Sequence, residues 1–176
     1  MGKDFRKLSL IVAVFFCLTG CEEKKIEKFF TTESFPDQII KNFTIDKYES
    51  ESHMWNFFAV RGDVYEKKKI INAKNIKVNF YENSGEIGTI VYADKAVVNA
   101  DTGDIKAEGN ITIFSLLKDT TVFIETLNYS EKSKKLSSNS FIRQEKRGVV
   151  VTGDGFEANS DLSEITILKN VKVVRK

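Results

Sequence analysis

The sequence predicts an all-β fold in which antiparallel strands form repeated strand–turn–strand units. After about residue 50, apolar and polar residues alternate with a period of two, as in strands that bury one face. Polar and glycine-containing clusters such as "ENSG" and "ADTGD" separate the alternating runs and are typical of turns. Helical periodicity is weak beyond the N-terminal segment. With 176 residues, the chain is long enough to bury one core of its own.

The N-terminal segment has the features of a bacterial lipoprotein signal. Basic residues precede an apolar run, Leu8–Leu18, that is short for a membrane span. The run ends in "LTGC", which resembles the lipobox, a motif whose cysteine is lipidated when the preceding peptide is removed. The sequence therefore predicts a signal peptide over residues 1–20, a lipidated Cys21 with a charged tether over residues 21–35, and a β domain over residues 36–176. The alternative is a short, uncleaved membrane anchor that contains a cysteine.

Two central segments carry the clearest strand patterns. In "NIKVNF" and "GNITI", every second side chain is apolar, and the polar side chains between them belong to the opposite face. The apolar positions are Ile76, Val78, Phe80, Ile111 and Ile113. Before them, residues 37–48 fit a short helix or a first strand, and the sequence does not decide between the two.

Two later segments complete the pattern. In "TVFIETLNY", apolar residues occupy both faces, since strict alternation places Phe123 and Leu127 opposite Ile124. The final run is predicted to be a strand whose apolar residues are Ile165, Ile167, Val171 and Val173. "GNITI" at 109–113 and "KNVKV" at 169–173 look like two copies of one return strand, which favours a true repeat over a simple meander.

Residue types that usually carry catalysis or bind metals are scarce. His53 is the single histidine, and both cysteines, Cys17 and Cys21, lie near the N-terminus. No Cys/His metal site, cysteine nucleophile or phosphate-binding loop is therefore predicted in the body of the chain. A formal net charge of +2 gives no broad basic field for nucleic acid. We expect no enzyme activity, no metal and no cofactor; a lipoprotein enzyme with a carboxylate pair is kept as a rival.

The apolar residues favour a binding groove. An unclosed sheet with an apolar inner face suits acyl chains, although core packing is the default explanation for any single residue. The groove candidates are Ile76, Val78, Phe80, Ile111, Ile113 and Phe123. An open sheet also leaves edge strands that a neighbouring protein can extend by β-augmentation. The candidates for this partner contact are Ile165, Ile167, Val171 and Val173.

Four features together resemble the LptC family of the lipopolysaccharide transport bridge. They are the N-terminal membrane anchor, "F.A..GDVYE" at 57–66, the block from Ala93 to Ile113 that contains "AEGNI", and the terminal "TGDGFEAN…KNVKV" from Thr152 to Val173. The resemblance covers roughly residues 36–174, nearly the whole predicted mature chain.

This resemblance implies an elongated, twisted and open β-jellyroll whose apolar interior holds the acyl chains of lipid A. It also implies that one sheet edge meets an inner-membrane ABC permease pair and that the other meets an LptA-like β-jellyroll protein. The expected location is the periplasmic face of the inner membrane. A lipid anchor would replace the transmembrane helix that family members usually keep. The alternatives are a structural or protein-binding cell-envelope lipoprotein and a soluble LptA-like bridge protein.

Overall fold

A computed structural model describes residues 35–175 of the chain, and these residues form a single antiparallel sheet in which each strand pairs with the next along the sequence. The strands are β1 (Gln38–Glu49), β2 (Ser52–Tyr65), β3 (Ile70–Tyr81), β4 (Ile87–Asn99), β5 (Ile105–Ser115), β6 (Thr120–Ser130), β7 (Lys135–Lys146), β8 (Val149–Asn159) and β9 (Ile165–Arg175). The all-β prediction is confirmed. The predicted signal peptide and Cys21 lie outside the described residues.

The ambiguous segment at residues 37–48 is a strand. It forms most of β1, an edge strand whose neighbour is β2. Phe43 and Ile45 pack against the core from β1, and the Phe43 ring lies 6.2 Å from the Phe57 ring, centroid to centroid. Alternate residues of β1 thus share the buried face with β2, which a helix of the same sequence would not achieve.

A line of irregular backbone crosses all nine strands near their middle. At this line each of the ladders between neighbouring strands skips at least one residue pair. The line passes through four asparagines with positive φ values between 46° and 53°, which are Asn42, Asn75, Asn110 and Asn170. Asparagine tolerates this left-handed conformation better than most side chains do. We call this feature the bend line.

The sheet folds over itself along the bend line. Phe80 of β3 and Tyr129 of β6 have ring centroids 5.1 Å apart, whereas strands three places apart in a flat sheet are separated by about 14 Å. Two layers therefore face each other. In each odd-numbered strand, the segment before the bend line belongs to layer B and the segment after it belongs to layer A. In each even-numbered strand the order is reversed, so the chain enters in layer A and leaves in layer B. The apolar core lies between them.

The bend line corrects one expectation drawn from strict alternation. Ile124 and Leu127 are both buried, at 5% exposure each, so they share a face although one was predicted to oppose the other. The reason is the break in pairing between Phe123 and Asn128, which shifts the alternation by one residue. Of the three apolar residues Phe123, Ile124 and Leu127, Phe123 points outward, with 37% of its surface exposed.

Residues 35–176 form one compact unit. The strand pairing and the apolar core described above are drawn from within it. Because this unit has its own strand pairing and its own core, we expect it to fold by itself. Among the described residues, none belongs to a helix with the length and apolar character to span a membrane.

Candidate functional site

The interior between the two layers brings together five of the six groove candidates. Alternation along β3 and β5 turns their side chains to the same buried face, and all five belong to one apolar core. They are Ile76, Val78, Phe80, Ile111 and Ile113, and none is more than 6% exposed. All five belong to layer A, and layer B adds residues such as Ile105, Leu127 and Tyr129 to the same apolar core.

Phe123 lies on the other face of the sheet. Its ring packs under the guanidinium of Arg143, 5.5 Å from the ring centroid, and it lines a shallow outer depression together with Phe141. Because it occupies the position between two inward-facing residues of β6, it points away from the interior. The structure therefore separates Phe123 from the other candidates.

The interior is packed by its own side chains. A cavity between the layers has a volume of about 10 Å³ and is bordered by Val78 and Phe80 of layer A and by Leu127 and Tyr129 of layer B. That is room for at most one water molecule. An acyl chain at this place would have to replace contacts that the side chains of the two layers make with each other.

Four polar residues join the layers beside this interior. The indole N–H of Trp55 donates to a carboxylate oxygen of Glu131 over 3.0 Å. Lys134 donates to the other oxygen of Glu131 and, over 2.9 Å, to Glu49. Trp55 and Glu49 belong to layer A, whereas the other two lie in the β6–β7 turn at the end of layer B. We call these four residues the layer lock.

The layer lock changes the ionisation of its members. Burial alone would raise the pKa of Glu131, but hydrogen bonds from Lys134, Trp55 and Tyr129 outweigh it and hold that pKa below its ordinary value. Burial would likewise lower the pKa of Lys134, and its bonds to Glu131 and Glu49 raise the pKa instead. Burial raises the pKa of the neighbouring Tyr129, and the Glu131 charge raises it further. At neutral pH the lock therefore contains a stable ion pair.

A second link joins the layers elsewhere. The Ser115 hydroxyl, at the end of β5 in layer A, donates to the backbone carbonyl of Asp161 over 3.3 Å. Asp161 lies in the β8–β9 turn, and the adjacent Leu162 is buried at 3% exposure. Polar links thus join the layers at two turns of layer B.

The predicted partner-contact residues all lie on β9, which is an edge strand. Ile165 and Ile167 are partly buried and pack against the core. Val171 and Val173 lie beyond the bend line and are 53% and 65% exposed. The register places Val173 opposite Val151, on the interior face of the sheet. Apolar interior surface therefore continues to the last strand and is exposed there.

The layer lock was not predicted from the sequence. Trp55 and Glu131 are 76 positions apart, and only the fold brings them together. The positions of the bend-line asparagines were not predicted from the sequence either, although the repeated motifs place two of them at equivalent positions. Asn110 and Asn170 occupy the same position in "GNITI" and "KNVKV". Each donates to an aspartate 16 residues earlier, Asp94 at 2.7 Å and Asp154 at 2.6 Å.

Comparison with solved structures shows the same fold. The crystal structure of LptH, the LptA-homologous periplasmic component of the lipopolysaccharide transport device from Pseudomonas aeruginosa, is similar with a TM-score of 0.54. The similarity covers 69% of this chain and 94% of that one, at 9% sequence identity. The β-jellyroll expectation is thereby confirmed.

Comparisons of the sequence identify its family. No curated protein matches the chain. Residues 9–176, however, match a family described as "Lipopolysaccharide-assembly, LptC-related", and the match extends over all nine strands. The protein therefore belongs to the LptC-related family of lipopolysaccharide assembly.

Proposed function

We propose that this protein is a membrane-anchored periplasmic component of the lipopolysaccharide transport bridge. It accepts lipopolysaccharide from an inner-membrane ABC permease pair and passes it to the next β-jellyroll protein. Membership of the LptC-related family carries this proposal. The apolar interior between two layers of an open sheet supports it, because such a surface can cover acyl chains without any chemical reaction.

In this proposal, transfer occurs by exchange of apolar contacts. Acyl chains take the place of side-chain contacts between the layers, so that buried apolar area is kept while the layers separate. The small interior cavity supports a closed resting state that opens for cargo. The open edges provide the route, with β1 toward the permease pair and β9 toward the next jellyroll protein.

In this proposal, a lipid on Cys21 anchors the protein to the membrane. Several acyl chains on one cysteine would hold the protein firmly, since each buried CH₂ contributes about 0.8 kcal/mol. Cys21→Ala is expected to block processing in cells, so that the protein migrates as the larger precursor on a gel. An unchanged mature size would show that the lipobox assignment is wrong.

Photo-crosslinking tests the lipid interior. A photoreactive amino acid at Phe80 or Ile113, inside the layers, is expected to crosslink to lipopolysaccharide in living cells. The same amino acid at Phe123, on the outer face, provides the matched control and is expected to give little product. Absence of product at both interior positions, or equal product at all three, contradicts the proposal.

Depletion of the protein in cells distinguishes a function in lipopolysaccharide transport from a general structural function in the cell envelope. If the protein belongs to the bridge, its loss is expected to make lipopolysaccharide accumulate at the inner membrane. Normal delivery to the cell surface would instead identify a structural or protein-binding lipoprotein with the same fold.

A further inference from the structure

Four basic residues stand side by side on the outer face of layer B. The register pairs Lys41 with Arg61, Arg61 with Lys74, and Lys74 with Lys95, so the four form one straight row across β1 to β4. Neighbouring strands are about 4.8 Å apart, which makes the row roughly 14 Å long. We call this row the cationic stripe.

The cationic stripe is unfavourable for the sheet alone. Like charges that lie directly opposite each other on neighbouring strands repel and destabilise the pairing. Acidic residues border the stripe at two places. Asp63 accepts hydrogen bonds from Arg61, and Glu108, the strand partner of Lys95, lines a depression with Lys95, Asp94 and Glu125. Among the described residues, Lys41, Lys74 and Lys95 have no ion-pair partner. Lys41 and Lys74 therefore face solvent with only basic residues opposite them, whereas Lys95, at the end of the row, faces solvent beside Glu108.

Exposed aliphatic side chains border the same stripe. Ile39 lies two residues before Lys41 on β1 and is 54% exposed, and Val97 lies two residues after Lys95 on β4 and is 39% exposed. A spacing of two residues along a strand puts each on the same face as its lysine. The surface thus combines a row of cations with apolar side chains at both ends.

We propose that the cationic stripe lies against the anionic surface of a phospholipid bilayer. Lysine ammonium groups in a row match a surface of phosphate groups, and the flanking aliphatic side chains match the acyl boundary beneath it. The stripe lies on the face of the sheet opposite the apolar interior, so contact with a membrane leaves that interior free. This surface does not depend on lipopolysaccharide binding and would orient the domain on the membrane.

Vesicle sedimentation tests this surface with residues 35–176, which lack the predicted anchor. The domain is expected to sediment with vesicles made from equal amounts of phosphatidylcholine and phosphatidylglycerol, and not with phosphatidylcholine alone. Each lysine near an anionic surface changes partitioning by about fivefold. The Lys41→Gln, Lys74→Gln, Lys95→Gln variant is therefore expected to bind roughly 100-fold more weakly.

A matched variant controls for net charge. Lys132→Gln, Lys146→Gln, Lys169→Gln removes the same charge from exposed positions outside the stripe, and its binding is expected to fall much less. Equal loss in both variants, or no loss in the stripe variant, overturns the proposal. Binding to lipopolysaccharide micelles without binding to phosphatidylglycerol vesicles also overturns it, because the stripe would then recognise cargo. Circular dichroism confirms that both variants are folded.

Discussion

Glu131 shows how one residue of the layer lock can make stability depend on pH. Its pKa is held below the ordinary value of 4.5 by hydrogen bonds that exist only in the folded state. A carboxyl group with a depressed folded pKa stabilises the fold above its unfolded pKa, and this contribution disappears as the pH falls through the folded pKa. The ion pair of Glu131 with Lys134 is therefore expected to weaken only in acid.

Substitution of Glu131 tests this dependence. Glu131→Gln keeps the size of the side chain but removes its charge, and it is expected to lower the free energy of unfolding by about 1 kcal/mol at neutral pH. Urea denaturation at a series of pH values should show the difference from wild type shrinking below about pH 4.5. Glu157→Gln, at an exposed position on β8, serves as the control. A difference that is independent of pH would contradict the assigned role.

Asn110 combines two properties that can be separated by mutation. Its φ of 46° disfavours most side chains, and its amide donates to Asp94. Asn110→Gly keeps the conformational freedom and loses the hydrogen bond, so a cost of about 1 kcal/mol is expected. Asn110→Ala loses both and should cost about 1–2 kcal/mol more. Thermal denaturation of the two variants measures the difference, and equal stabilities would show that the backbone conformation contributes nothing.

At the scale of strands, the sequence predicts well which side chains share a face within a short stretch. It predicts poorly where that alternation shifts from one stretch to the next. Alternation correctly grouped Ile76, Val78 and Phe80 because these residues lie on one side of the bend line. It misplaced Leu127 because the strand crosses that line after Ile124. Local patterns contain the period of a strand, but the point where it shifts depends on backbone bends shared with neighbouring strands.

Substitutions on the terminal strand β9 test whether the apolar surface at this edge of the sheet contacts a partner protein. Val173→Glu places a charge on the interior face of β9 at a position that is 65% exposed, so stability should change by less than about 0.5 kcal/mol. Crosslinking to an LptA-like protein in cells should nevertheless be lost, because the charge interrupts the apolar surface at the junction. Thr166→Glu, also exposed on β9, is the control. An unchanged crosslink with Val173→Glu would show that β9 is not the contact.

For the whole molecule, the decisive property is that two layers enclose an apolar interior with almost no empty volume. Ile111 and Ile113 are buried at no more than 1% exposure, which is what a stable core requires. The proposed binding of lipid requires the opposite, an interior that opens. The sequence predicted the apolar composition of this interior but not its closure, because closure depends on contacts between distant strands such as the one between Phe80 and Tyr129.

Under the proposed function, the layer lock would connect stability with cargo loading, and Trp55→Phe tests that connection. The substitution keeps an aromatic ring in the interior but removes the N–H that donates to Glu131. The free energy of unfolding is expected to fall by about 1–2 kcal/mol, because a hydrogen bond to a charged group is lost. Uptake of lipopolysaccharide by the purified protein should become faster, since one of the links that hold the layers closed is gone.

A core variant distinguishes the lock from general destabilisation. Phe57→Leu removes apolar volume from a residue that is fully buried and keeps the layer lock intact. It is expected to destabilise the fold by a similar amount without the same gain in the rate of uptake. Stopped-flow fluorescence with labelled lipopolysaccharide measures both rates. Equal acceleration in the two variants would mean that loading depends on overall stability, whereas acceleration in Trp55→Phe alone means that separation of the layers at the lock limits the entry of lipid.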